Sequence, residues 1–220
     1  MQNDEQQVGH PYNVIGELHI EWRRKRKGVE ETGFTWATGF PIGDGTFVAT
    51  AAHLVWDGDY IETRVAYQTG NRTIQAEWVS PNPRYCDFGG APAVFDVAVV
   101  KLKEPVQEVL TFKSVSGPLQ NKDCVAAGYV KRKLKVSPVR VPAWPINGET
   151  LGGPLKYSLG STVPGMSGGP VFDAADGNVI GIVAGDNNVD CLAAPLVSEP
   201  DGAYHFITGV MRTNRPARIF

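Results

Sequence analysis

Three short segments of the sequence carry side chains that could do chemistry together. In "VPGMSGGPVFD" (residues 163–173) one serine, Ser167, stands among three glycines, beside two prolines and just ahead of an apolar pair. A serine hydroxyl is a poor nucleophile until a base takes its proton, and its attack on a carbonyl builds negative charge that preplaced donors must meet. Gly165 can adopt positive φ and turn its N–H towards the point served by the Ser167 N–H, while the glycines after Ser167 let a substrate chain approach the backbone. Taken alone, the loop could equally be an ordinary Gly-Ser turn. "FVATAAHLVW" (47–56) ends an apolar strand in alanines and presents His53 ahead of a short apolar turn able to pin the imidazole. "VFDVAVVKL" (94–102) sets Asp96 at the mouth of a strongly β-forming run, where a carboxylate is partly buried if it is paired. Such a carboxylate would hold the histidine in the tautomer that accepts the serine proton and would stabilise the imidazolium. Singly these are a structural histidine, a capping aspartate and a turn serine; in the order His, Asp, Ser they form a nucleophile, a base and an orienter. Asp57 and Asp59, in "VWDGDY", read as a solvated hairpin tip, and Asp87 falls in the Pro/Gly-rich loop 81–92, so Asp96 is the expected partner.

The elements that must hold these groups are short. Runs rich in Val, Ile, Thr, Tyr, Phe and Trp predict strands at 13–20, 33–40, 46–51, 60–68, 72–79, 96–102, 123–130, 136–142, 155–160, 169–173, 178–185 and 203–210. Gly and Pro, 25 and 16 of them, punctuate nearly every gap. Without a sustained 3.6-residue apolar period, helix is expected only as a turn after Ala51 and a short piece near either end. About twelve strands with no helical layer indicate an all-β structure, either one large sandwich or two small barrels. The stretch 103–122, with Pro105 and Pro118, is the natural handover.

With these residues in place, "TAAH", "DVAVV" and "GMSGGPVFD…GNVIGIVAG" resemble the trypsin-like serine peptidases of the chymotrypsin fold, nearest the glutamyl-endopeptidase-like and HtrA-type members, over about residues 33–186. The resemblance implies two six-stranded antiparallel β-barrels, residues 1–110 carrying His53 and Asp96 and residues 111–220 carrying Ser167, with the site in the cleft between them. It implies a serine endopeptidase in which His53 is general base then acid, Asp96 its orienting partner and Ser167 the nucleophile, with the N–H groups of Gly165 and Ser167 as oxyanion hole. The substrate-binding residues it implies are Ser161 and Thr162 beside the serine loop, and Val183, Ala184, Gly185 and Asp186 on the strand that pairs with the substrate backbone. A pseudo-peptidase or effector domain acting through partner binding is the alternative. Ser161 stands where trypsin-type relatives place an aspartate, and Ile182, Val183 and Ala184 stand where glutamyl-specific relatives place a histidine. Uncharged, medium to large apolar residues are therefore expected before the cut bond, with Asp186 the one side charge that could favour Lys or Arg.

Composition narrows the rest. With 21 basic and 23 acidic residues the formal charge is −2, so no nucleic acid is required as a partner and protein or peptide substrates suffice. No run reaches the ~18 apolar residues of a membrane span. Cys86, Cys124 and Cys191 are odd in number and share no metal-ligand spacing, which predicts reduced thiols, no metal and no cofactor. The polar start MQNDEQQ has no signal-like apolar run and no activation sequence, so a cytoplasmic location and activity without prior cleavage are expected; a secreted protein with its signal removed is the alternative, with Asn71-Arg72-Thr73 as a glycan acceptor. Nothing in the sequence sets an oligomeric state. The basic runs "RRKRK" (23–27) and "KRKLK" (131–135) read as solvated hairpin tips rather than a nuclear-localisation or anionic-surface patch.

Overall fold

Alternation of apolar and polar residues curls the first half of the chain into a barrel. In the computed structural model, which describes residues 10–90, 93–144, 153–200 and 202–217, six strands form it: β1 (Gly16–Arg26), β2 (Val29–Ile42), β3 (Phe47–Thr50), β4 (Tyr60–Thr69), β5 (Arg72–Pro81) and β6 (Ala98–Leu102). Their order is β1-β2-β3-β6-β5-β4, and it closes where β4 returns antiparallel to β1, Leu18 facing Tyr67 and Ile20 facing Val65. These inward residues, with Val48 and Val100, fill the interior. Closure leaves no edge strand exposed to stray pairing.

Six further strands follow: β7 (Leu119–Val130), β8 (Lys133–Trp144), β9 (Leu155–Ser158), β10 (Pro170–Asp173), β11 (Val179–Asp186) and β12 (Asp190–Pro195), in the order β8-β7-β10-β11-β12-β9. β9 comes back alongside β8, so this second sheet is a nearly closed barrel. The fold is thus all-β with two six-stranded antiparallel barrels, the chymotrypsin-like arrangement. A third apolar cluster lies where the barrels meet, joining Phe40 and Ile42 to Phe172 and Ile182.

Two expectations for the strands are corrected. Residues 203–210 are not a strand; they lie in a helix, α2 (Ala203–Thr213), after the single-turn α1 (Pro83–Asp87) in loop 81–92. Ala203, Phe206, Ile207 and Val210 are buried at a helical spacing, so this window does carry a 3.6-residue period, masked by its β-favouring Tyr, Phe, Ile and Val. The helix seals the inter-barrel cluster. Conversely, "DCLAAP" has no β-branched residue and went unread as a strand, yet as β12 it is buried between β11 and β9, where packing rather than propensity decides.

The first basic run is also not a hairpin tip. β1 extends to Arg26, and only Lys27 and Gly28, both with positive φ, make the turn. Arg23 pairs with Glu30 and Glu62, Arg24 with Glu31 and Asp57, and Arg26 with Asp57 and Asp59. Asp57 and Asp59 therefore neutralise the β1 arginines instead of forming a free tip. The second run does sit at a hairpin, with Lys131 and Arg132 between β7 and β8.

Between the sheets, the Leu110 N–H donates to Pro41 O of the first barrel and Phe112 bridges Val179 of the second. Asp173, 4 % exposed at the end of β10, fastens this segment by gripping Lys113 and Lys122, each at 2.7 Å. Burial alone would raise its pKa, but the two lysine hydrogen bonds win and hold it below the ordinary carboxylate value. Cys86, Cys124 and Cys191 are buried and joined in no disulfide among the described residues. Among the described residues no helix is long and apolar enough to cross a membrane and no group of acids, His and Cys could hold a metal. The start MQNDEQQ lies outside the described residues.

Candidate active site

His53 is held by its own backbone as well as by its ring. After β3, Ala51 and Ala52 are fully buried, and the chain tightens into a 3₁₀ turn over Ala52–Leu54 that presents the imidazole at the surface, 34 % exposed. Asp96 lies between a 3₁₀ turn (Ala93–Phe95) and β6 and is 4 % exposed. One carboxylate oxygen, Oδ1, accepts the His53 backbone N–H at 2.8 Å; the other, Oδ2, lies 2.7 Å from Nδ1. A carboxylate so placed makes Nδ1 the protonated nitrogen and leaves Nε2 free to accept. Burial of the ring works against the charged form, but the charge of Asp96 and its hydrogen bond outweigh it and raise the His53 pKa above its ordinary 6.5.

The serine loop is two consecutive turns, each closed by a hydrogen bond: Met166 N–H to Val163 O at 3.1 Å and Gly169 N–H to Met166 O at 2.9 Å. Pro164-Gly165 and Ser167-Gly168 are their central pairs. Gly165 has φ +100 and Gly168 φ +84, the positive angle a type II turn demands of its third residue. Met166 points into the core, fully buried, while Gly165 and Ser167 stay half-exposed. Among the described residues, neither the Gly165 nor the Ser167 N–H has an acceptor within the protein. Two amides two residues apart on one half-exposed loop, left undonated, are what an oxyanion site needs.

What seats this loop is Thr38 of β2, a residue sequence reasoning missed. Fully buried, Thr38 uses every polar atom it has. Its N–H donates to Ser167 O at 3.0 Å and its hydroxyl to Gly165 O at 2.8 Å; the same hydroxyl accepts the Tyr129 N–H at 2.8 Å. Its carbonyl accepts the Thr50 hydroxyl at 2.8 Å. Gly168 packs so tightly here that a Cβ would run into Thr38 O and Thr50 Oγ1 and come within 3.1 Å of the Ala51 N. The serine loop of the second barrel is therefore docked onto the last two residues before the turn that bears His53. The signal available in sequence was a threonine in an otherwise apolar strand end, "WATGF".

The expected substrate-binding residues fall on the loop after β9 and on the last four residues of β11. Ser161 follows β9, its N–H donating to Ser158 O at 3.2 Å; Thr162 is buried, and its carbonyl faces the Cys191 thiol of β12. Val183 is buried, and its N–H and C=O bond to Gly169 and Gly168, so its backbone supports the serine loop. Ala184 is buried too, whereas Gly185 faces open space at a break in the β11–β12 register. Asp186 is exposed and folds back to accept the Asn188 N–H at 3.1 Å.

Comparison with known proteins fits this geometry. A family model for the trypsin-like peptidase domain matches residues 37–182. Among solved structures, the HtrA-type protease AlgW with a tripeptide is 17 % identical with a TM-score of 0.62, covering 93 % of this chain and 62 % of its own. The active form of the Rv3671c protease from M. tuberculosis is 20 % identical with a TM-score of 0.60, covering 94 % and 84 %. The serine endoprotease from Yersinia pestis is 15 % identical with a TM-score of 0.61, covering 93 % and 65 %. This chain thus spans less than two thirds of the AlgW and Yersinia chains. No curated protein sequence matches it. The family model covers the turn that bears His53, the strand mouth at Asp96 and the loop of Ser167 alike, and the chain belongs to the trypsin-like peptidase domain family.

Proposed function

We propose that this protein is a serine endopeptidase that hydrolyses protein or peptide substrates through an acyl-enzyme. Residues 1–110 supply His53 and Asp96, and residues 111–220 supply Ser167 and the oxyanion hole. The observation that carries this reading is the two-point grip of Asp96 on His53, which fixes both the ring and its tautomer. In the proposed reaction Nε2 of His53 takes the Ser167 hydroxyl proton as Oγ attacks the scissile carbonyl. The charge that develops on oxygen is met by the N–H groups of Gly165 and Ser167, and the imidazolium, stabilised by Asp96, passes its proton to the departing amine. A water then repeats the sequence and frees the acid.

Before the cut bond, uncharged apolar residues suit this site best. Ser161 brings no charge and the Asp186 carboxylate turns back onto the Asn188 N–H, while Leu159 and Val189, near Ser161 and Asp186 in the chain, are 54 % and 71 % exposed.

The test is an alkylphosphonate serine probe read by intact mass. The wild type should gain one adduct and Ser167→Ala none; labelling of the variant, or an unlabelled wild type, would leave a binding module as the better reading. A second expectation follows from the raised His53 pKa. Catalysis needs the neutral ring, so kcat/KM should climb along an acid limb whose midpoint lies above pH 6.5, and Asp96→Asn should move that midpoint down. The stability linkage has the opposite sign: the charged His53–Asp96 pair contributes below pH 6.5 and is lost as pH rises through the folded-state value. Paired pH–rate and pH–melting curves check both.

A further inference from the structure

Ser167 sits between strands of two barrels. On one side, β11 exchanges hydrogen bonds with its loop through Val183; on the other, Thr38 of β2 donates to the Ser167 carbonyl. If the acyl half of a substrate lies along β11, the leaving half departs over β2, past Ala37 and Trp36. There it meets a groove of about 250 Å³ between Trp36 and Ala37, Tyr129 of β7 and the Pro164-Gly165 turn, walled by Lys131 and Arg132. Trp36 also lines a larger groove, about 910 Å³, that continues across β1 and β2 over His19 and Phe34. The apolar rungs are ordered: the Arg132 guanidinium lies 4.6 Å above the Trp36 ring, Trp36 stacks on His19 at 4.5 Å, and His19 meets Phe34 edge-on at 5.9 Å. Phe34 is 66 % exposed.

The charges in the smaller groove are poised rather than neutralised. No carboxylate forms an ion pair with Lys131 or Arg132 among the described residues, unlike Arg23, Arg24 and Arg26. Glu17, on the groove wall, is 7 % exposed; burial raises its pKa against the pull of Arg132. The turn itself is unusual. Two-residue hairpin turns with positive φ at both positions favour Asn-Gly, and the β1–β2 turn does place glycine second, yet Lys131 and Arg132 adopt φ 48 and 66. Two long cations are held in a backbone conformation that costs them, directly beside Gly165.

We propose that this groove binds the leaving-group half of the substrate and selects an acidic residue shortly after the scissile bond, followed by an aromatic or other apolar one. The carboxylate meets Arg132 and Lys131, and the apolar side chain lies on the Trp36–Phe34 face. The proposal rests on the peptidase reading above. Aromatic rings beside cations also suit single-stranded nucleic acid, but Glu21 and Glu62 line the larger groove and Arg23 there is ion-paired, which favours a polypeptide.

The experiment uses peptides with one common acyl half and Glu, Gln or Lys after the cut bond, with kcat/KM measured on wild type and Arg132→Glu. The wild type should favour Glu over Gln by about three- to fivefold, the scale of one part-exposed ion pair, less so at high salt, and Arg132→Glu should reverse the order towards Lys. Phe34→Ala should raise KM only for peptides with an apolar residue further along. Equal rates for the three peptides, or an order that survives Arg132→Glu, would overturn the groove and leave the peptidase standing. If the wild type cleaves none of them, the peptidase reading falls, and the groove is judged by fluorescence polarisation with the labelled leaving halves alone: Glu-selective binding lost in Arg132→Glu supports it, unselective binding overturns it. Displacement of a bound peptide by oligodeoxythymidine at lower concentration than by unlabelled peptide would reassign the groove to nucleic acid.

Discussion

Ser167→Ala and His53→Ala are each expected to lower kcat/KM by on the order of 10⁴- to 10⁶-fold, and Asp96→Asn by about 10⁴-fold. On the proposed mechanism the three groups act as one unit, so the double variant Ser167→Ala/His53→Ala should be scarcely worse than either single one. Nothing comparable should happen to stability. Ser167 is half-exposed, and the backbone N–H that anchors His53 to Asp96 remains when the ring is removed. Asp96→Asn differs from the alanine variants in kind. Its amide cannot accept from both the backbone N–H and the ring as the carboxylate does, so the ring is left in the tautomer that cannot take the serine proton. Steady-state kinetics on a peptide substrate, with thermal melts of each variant, decide the matter; a variant with full turnover sinks the mechanism.

Gly168→Ala should be one of the most damaging small substitutions among the described residues. Two costs add: φ +84 is unfavourable for any residue with a Cβ, and that Cβ would overlap Thr38 O and Thr50 Oγ1. Neither obstacle is a flexible side-chain end, so the loop must lift from its seat. A loss of about 3 kcal/mol or more is expected, together with loss of activity in whatever still folds. Gly177→Ala is the control. Its φ is +72 but open space surrounds it, so only the conformational cost of about 1 kcal/mol should appear. Denaturant melts of the two variants separate steric overlap from backbone strain; similar losses in both would mean that the contact with Thr38 and Thr50 is slack.

The fold and the triad candidates were legible because their signals are local. Eleven predicted runs became strands, and "TAAH", "FDV" and "GMSGG" each place one chemical group within a few residues of the turn that orients it. What stayed hidden depends on contacts distant in sequence. Thr38 looks like one more strand residue, and its role arises only because residues 91 to 129 positions away fold against it. β12 is a strand through its neighbours, not through its composition. In α2 the helical spacing is present in Ala203, Phe206, Ile207 and Val210, but the single-residue β preferences of its Tyr, Phe, Ile and Val mask it. The arginines of β1 show the same limit for charge, since their carboxylate partners come from β2, the turn after His53 and β4.

The seat beneath Ser167 also sets an order of events during synthesis. Thr38, Thr50, His53 and Asp96 are all made before the first residue of the serine loop, and the hydrogen bonds that fix Gly165 and Ser167 are all made to one of these earlier residues, Thr38. On the proposed mechanism, a chain released part-way has a base and an orienter but no nucleophile. A chain just completed has its serine, but in a loop not yet seated on Thr38 until the second sheet closes onto the first. On that mechanism cutting power comes only when the two halves meet, and the nascent protein spares itself and its neighbours for as long as it is unfinished.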